Sequence, residues 1–210
     1  MKEICRFCEI SRGNIFGEEN RLISENASFF SLASIGALVE GWVLVSPKEH
    51  LYSLKDAYDA EGFVEFANSV MLKMRQHYCK QIIAFEHGPN KCDSSTSCGT
   101  NHAHLHLVPY SQSLYNDMLK TGLTWEKCPS DQISSRVGSN EYLFYCELSF
   151  SLWENPLGYL HILKKPISQY FRKIIAYQLN CYDEYDYKRY PRIEFAIETN
   201  SVLSDNPSLS

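Results

Sequence analysis

The stretch NHAHLHLVPY, residues 101–110, sets His102, His104 and His106 at every second position, three of the seven histidines in a chain of 210 residues. In an extended strand successive side chains point to opposite faces, so the three imidazoles share one face while Ala103, Leu105 and Leu107 share the other. The apolar row predicts a core face and the imidazole row a chemical one. Three imidazoles side by side crowd donors, acceptors and latent positive charge, with no structural return that aliphatic residues would not supply better. Two chemistries fit the row. Alternate histidines on a strand can ligate one zinc ion, or one imidazole acts as nucleophile or proton carrier while its neighbours tune it.

Working outward, SFFSLAS (28–34) and GWVLVS (41–46) read as strands, with residues 35–40 as their connection and Pro47 ending the second. Between 56 and 79, Phe63, Phe66, Ala67, Val70, Met71, Met74 and Tyr78 recur at helical spacing and describe one buried stripe. QIIAFEHG (81–88) reads as a short buried strand with His87 at its end. The polar run PNKCDSSTSCGT then leads into the histidine strand, bringing hydroxyls and open backbone amides to the imidazoles, a setting able to receive a phosphate.

Beyond Tyr110 the pattern thins. Residues 111–140 mix polar and turn-forming types, EYLFYCELSF and LGYLHIL read as strands around an Asn155-Pro156 turn, and a helix is expected over 167–180. Lys164, Lys165 and Arg172 gather positive charge near the start of that helix, where Arg172 is a candidate to bind an anion unless these residues are simply solvated. The polar ending ETNSVLSDNPSLS reads as a disordered tail.

Composition narrows the setting. Hydrophobic residues make up 44% and charged residues 21%, values that suit a globular chain with a real core. A net charge of -5 argues against a general nucleic-acid-binding surface, yet leaves room for a small basic pocket around an anion. No apolar run approaches a membrane span and MKEICRFCEI lacks the apolar stretch of a secretory signal, so the expected location is cytoplasmic. Eight cysteines, with only Cys5 and Cys8 in C-x-x-C spacing, do not form a secreted disulfide framework; metal or free thiols fit better.

Taken together, CRFCEI near the start, GWVLVSPKEH before a long helix, FEHG and then NHAHLHLVP resemble, in order, the histidine-triad (HIT) superfamily over about residues 3–110. The resemblance implies an α+β fold with an antiparallel sheet of about five strands, a packed long helix and assembly as a homodimer. The corresponding division is a catalytic domain over 1–110, a C-terminal extension over 111–195 packed on it, and a tail over 196–210.

For chemistry, the resemblance implies attack by the middle histidine, His104, on the α-phosphate of a nucleotide conjugate such as a dinucleoside polyphosphate or nucleoside phosphoramidate. A nucleotidyl-histidine then forms and water resolves it. His106 is placed to donate to a phosphate oxygen, and Ser97, Gly99 and Thr100 of the loop to bind substrate. Zinc-bearing relatives imply a structural zinc held by Cys5, Cys8, His50 and His102. The partner expected is a small-molecule nucleotide, with no membrane and no general nucleic acid.

The chain departs from the family at several points: Trp42 stands where many relatives carry a histidine, Ser34 where many carry a ribose-binding aspartate, and Gly99 where they carry a loop hydroxyl. Glu86 and His87 occupy a region where many use asparagine. Two other readings stay open, a zinc-stabilised nucleotide-binding or interaction module with vestigial activity, and a catalytic zinc held by the histidine row itself.

Overall fold

Alternation along the histidine strand decides what lies on each side of the sheet. The computed structural model describes residues 5–14, 17–60, 62–149 and 151–204. Its strands are β1 Leu22–Glu25, β2 Phe29–Ala33, β3 Val43–Pro47, β4 Ile82–Gly88, β5 Leu105–Pro109, β6 Glu126–Pro129, β7 Tyr142–Ser149 and β8 Leu157–Ile162. Its helices are α1 Arg6–Ser11, α2 Phe63–Tyr78, α3 Tyr115–Lys120, α4 Ile133–Val137, α5 Tyr170–Gln178 and α6 Ile193–Leu203. The strands form one antiparallel sheet in the order β1-β2-β3-β5-β4-β7-β8-β6.

Leu105 and Leu107 of β5, with Val43, Val45, Ile82 and Ala84 of its neighbours, pack under the apolar stripe of α2, including Phe66, Val70 and Met74. The alternate residues Leu44, Ile83, Phe85 and Val108 point the other way, into a second core closed by Phe7 and Ile10 of α1 and by Phe171, Ile174 and Ile175 of α5. His104 and His106 share that second face. The period of two read from the sequence therefore assigns both layers.

Three features add to the sequence expectations. Among the described residues the sheet has eight strands: β1 to β5 are the five or so expected over residues 1–110, and β6 to β8 of the extension continue the same sheet. Strand β7 pairs along β4 from Ile82↔Ser149 to Gly88↔Tyr142, so hydrogen bonds cross the expected boundary at 110 and the extension completes the sheet. An unpaired β4 would have left a row of backbone donors and acceptors open.

Residues 196–203 of the expected tail are helical. Ala196, Thr199, Asn200 and Leu203 are the buried face of α6, a helical spacing hidden from a reading of composition because two of the four are polar. Asn200 Oδ1 accepts from the Ala33 amide at 3.0 Å, and Thr199 Oγ1 from the Gly41 amide at 3.0 Å. Residues 205–210 lie outside the described residues. Among the described residues, no helix is long and apolar enough to cross a membrane.

Candidate functional site

Cys5 caps α1 and Cys8 lies one turn on, a spacing that puts both thiols on one side of the helix. His50 follows β3 and His102 precedes β5, and their ring nitrogens meet those thiols. Cys8 Sγ is 3.2 Å from His50 Nδ1 and 3.6 Å from His102 Nδ1, and Cys5 Sγ is 3.4 Å from His102 Nδ1. All four donor atoms lie within 4.8 Å of one another. A tetrahedron with Zn–S of about 2.3 Å and Zn–N of about 2.0–2.1 Å has edges of this length.

The outer partner fits as well. His102 Nε2–H donates to the Pro47 carbonyl at 2.8 Å, leaving the Nδ1 lone pair for the thiol side. Burial pulls the His102 pKa down to about 4, so the ring is neutral, as a ligand must be. Burial, with Cys5 beside it, pushes the Cys8 thiol up to about 11; a divalent cation would reverse that by favouring the thiolate. The four residues form a cluster able to hold a metal such as zinc.

His104 is half-buried and its Nδ1–H donates to the His102 carbonyl at 2.8 Å, so Nε2 is left with the lone pair. Burial holds its pKa below the usual imidazole range, which keeps that lone pair free of a proton. His106 has the opposite tautomer. Its Nδ1 accepts from the Trp42 indole N–H at 2.9 Å, so Nε2 carries the hydrogen. The ring stacks on Phe85 at 4.5 Å, and burial puts its pKa well below the ordinary value. One imidazole thus offers an unprotonated nitrogen and its neighbour, 4.7 Å away between ring centroids, offers an N–H. Trp42, the departure noted in the sequence, is thus the direct partner of His106.

The loop before β5 is only partly arranged as expected. Thr96 donates to Glu141 at 2.7 Å, pinning the loop to the start of β7, and Cys98 and Gly99 both have positive φ. Thr100 lines the imidazole cavity. Ser97 does not bring its hydroxyl there: it donates to the Ser94 carbonyl at 2.7 Å. Gly99 is close-packed from outside, since a Cβ there would lie 2.7 Å from the Tyr187 hydroxyl and 3.1 Å from Lys188 Nζ.

Arg172 lines the cavity, but its charge is tied down. Nε donates to the Tyr185 carbonyl at 2.8 Å, a terminal nitrogen donates to the Gly36 carbonyl, and the guanidinium lies 5.0 Å over the Trp42 ring. It is 3% exposed, so it braces the site from within; Lys164 and Lys165 are exposed. The start of α5 does border the site, through the Gln169 amide at 3.0 Å from Cys98 Sγ. The expected helix begins three residues late, at Tyr170, after Gln169 in a left-handed conformation.

Sequence reasoning left His87 open, as a compensating site group or simply a strand-end residue, and passed over Tyr187. Both line the cavity, whose volume is about 50 Å³. The side of β4 to which His87 belongs was readable from its spacing to Phe85. Tyr187 carried no local signal, because only the return of residues 182–191 toward Gly36 brings it near. A second groove of about 360 Å³, lined by Tyr170, Lys173 and Tyr177 among others, contains none of the histidines.

An ordered row of imidazoles, with its first member drawn to a C-x-x-C pair and its second left with a free nitrogen, is the arrangement the sequence motifs implied. The chain resembles the histidine-triad proteins. No protein-family model matches the chain, and no curated protein matches it significantly. Among solved structures, it is similar to a member of the HIT family from Bacillus subtilis, at 18% identity over 65% of this chain and 99% of that one, with a TM-score of 0.43. It is similar also to a histidine triad protein from Clostridium difficile, at 23% identity over 54% and 96%, TM-score 0.38. A third is a Hit-like protein involved in cell-cycle regulation from Bartonella henselae, at 17% identity over 51% and 79%, TM-score 0.41. At and just before β5, His102 belongs to the thiol cluster, and His104 and His106 to the cavity.

Proposed function

We propose that the protein is a nucleotide hydrolase or nucleotidyl transferase acting at the α-phosphate of a nucleotide conjugate, through a covalent bond to His104. The observation that carries this reading is the pair of opposed tautomers. The Nδ1–H of His104 is engaged by the His102 carbonyl, while the Trp42 indole makes Nε2–H of His106 the donor.

In the first step the Nε2 lone pair of His104 forms a bond to phosphorus as the bond to the leaving group breaks with its electron pair. His106 Nε2–H donates to a non-bridging oxygen, where charge accumulates. Water or another acceptor then attacks phosphorus, the N–P bond breaks, and the lone pair returns to His104. Thr100 supports the reading by its place at the cavity; Gly99 and Ser97 would act by shaping the loop. Cys5, Cys8, His50 and His102 would hold a zinc ion, which when bound would tie α1 to the histidine strand. The reaction itself uses the protein's own imidazoles.

A second reading, a zinc-stabilised nucleotide-binding or interaction module with vestigial activity, is favoured, in its interaction form, by one observation. The cavity of about 50 Å³ admits a phosphoryl group but is far below the roughly 300–1,000 Å³ of ligand sites. One experiment separates the two: incubation with labelled dinucleoside polyphosphates and phosphoramidates, scored for products and for acid-labile label on the protein. His104→Ala should abolish both. Binding without product or labelled protein supports the module, and near-normal turnover by His104→Ala rules out covalent histidine catalysis.

A further inference from the structure

His87 is 6% exposed, lines the cavity with His104 and His106, and has no hydrogen-bond partner at either ring nitrogen among the described residues. Buried polar groups without partners are rare in folded proteins, and those that occur call for a specific reason. The sheet register supplies one. Phe85 of β4 stands opposite His106 of β5, and continuing that antiparallel pairing by two residues sets His87 across from His104. Its ring is wedged between Phe171, at 5.2 Å, and His106, at 6.1 Å between centroids. Those neighbours hold the ring in place without satisfying its nitrogens.

We propose that His87 is a ligand-binding residue of this cavity, a neutral imidazole whose N–H takes an oxygen of the phosphoryl group presented to His104. The ligand class rests on the function proposed above; the role of His87 rests on its own position. Burial, with His104 and the Arg172 guanidinium nearby, pulls its pKa down to about 3, so the ring donates one N–H without becoming a cation. An anionic oxygen gives that N–H the acceptor it lacks, and the Arg172 guanidinium, although bonded to backbone carbonyls, keeps its positive charge at the lining of the same cavity. The second ring nitrogen remains an acceptor, which an asparagine or serine could match only by a different geometry.

The test follows the His87 nitrogen resonances of the wild-type protein during titration with orthovanadate and with AMP, using His87→Phe for assignment. Phenylalanine suits a niche walled by Phe85 and Phe171, and the wild-type spectra decide the matter even if that variant fails to fold. Both probes should move the His87 resonances. His87→Phe should weaken binding of both at least tenfold and lower kcat/KM, with adenosine, which has no phosphoryl group, bound as before. His87→Asn, which keeps an N–H donor, should recover part of the loss. Normal turnover with silent His87 resonances and unchanged probe binding overturns the proposal and leaves the proposed function intact. Vanadate that moves His87 in a protein that turns over no nucleotide conjugate does the reverse. Failure of the wild-type protein to bind either probe overturns both.

Discussion

The indole N–H of Trp42 meets Nδ1 of His106 at 2.9 Å, and an indole has no lone pair to offer in return. A proton on Nδ1 would face an N–H inside the core, so His106 is held neutral with its hydrogen on Nε2. Trp42→Phe keeps a ring under the Arg172 guanidinium but releases that tautomer. It is expected to lower kcat on a phosphoramidate substrate by about ten- to a hundredfold, with KM little changed, as for loss of an oriented donor. Steady-state kinetics, paired with nitrogen chemical shifts of His106, check it; an unaltered kcat would falsify the role.

The thiol cluster predicts one zinc per chain. Elemental analysis of untagged protein should find it, and Cys8→Ser should lose both the metal and several degrees of melting temperature, because structural zinc contributes directly to folding. Purified metal-free protein with the same melting temperature as the metal-bound form would sink the assignment.

Glu86 is fully buried, with Oε1 accepting from the Leu54 amide at 2.6 Å and Oε2 from the Tyr58 hydroxyl at 2.9 Å and from the Tyr142 hydroxyl. Burial raises its pKa from 4.5 to about 7, although the three donors pull the other way. The folded state therefore binds the proton more tightly than the unfolded one. This stabilisation is fully present below about pH 4.5 and is lost as pH rises through about 7. Over that window the loss amounts to about 3 kcal/mol. Glu86→Gln should remove this component, and urea denaturation of both proteins from pH 5 to 8 should show a flatter profile for the variant.

Asn200 joins α6 to two other segments at once, accepting from Ala33 N and donating through Nδ2 to the Glu18 carbonyl at 3.0 Å. Asn200→Ala leaves a buried amide of β2 without a partner and should cost about 1–3 kcal/mol of stability. Chemical denaturation measures it directly. A change within error would mean that the last helix is not fastened to the sheet in this way.

The features legible in the sequence were those with a period. Leu105 and Leu107 alternate with His104 and His106, and the α2 stripe from Phe63 to Met74 repeats every three to four residues, so both faces of the central sheet could be assigned before any coordinates. What escaped was carried by the backbone or by polar groups serving as core. Arg172 is spent on the carbonyls of Gly36 and Tyr185, partners with no side-chain signature. Thr199 and Asn200 made a buried helix look like a polar tail, and strand β6 has two exposed residues among its four. The metal cluster was legible only through the family resemblance, since His50 and Cys8 are 42 positions apart.

Strand β4 has already given its outward edge to β7 of the same polypeptide, over seven consecutive residues. The main-chain groups that another copy would need in order to dock beside it are consumed. Among the described residues, only β1 and β6, each four residues long, remain as outer edges of the sheet. Among the described residues, what is left for self-association is helices, loops and these brief margins, and a dimer whose two sheets fuse at β4 is closed to this chain by its own C-terminal half.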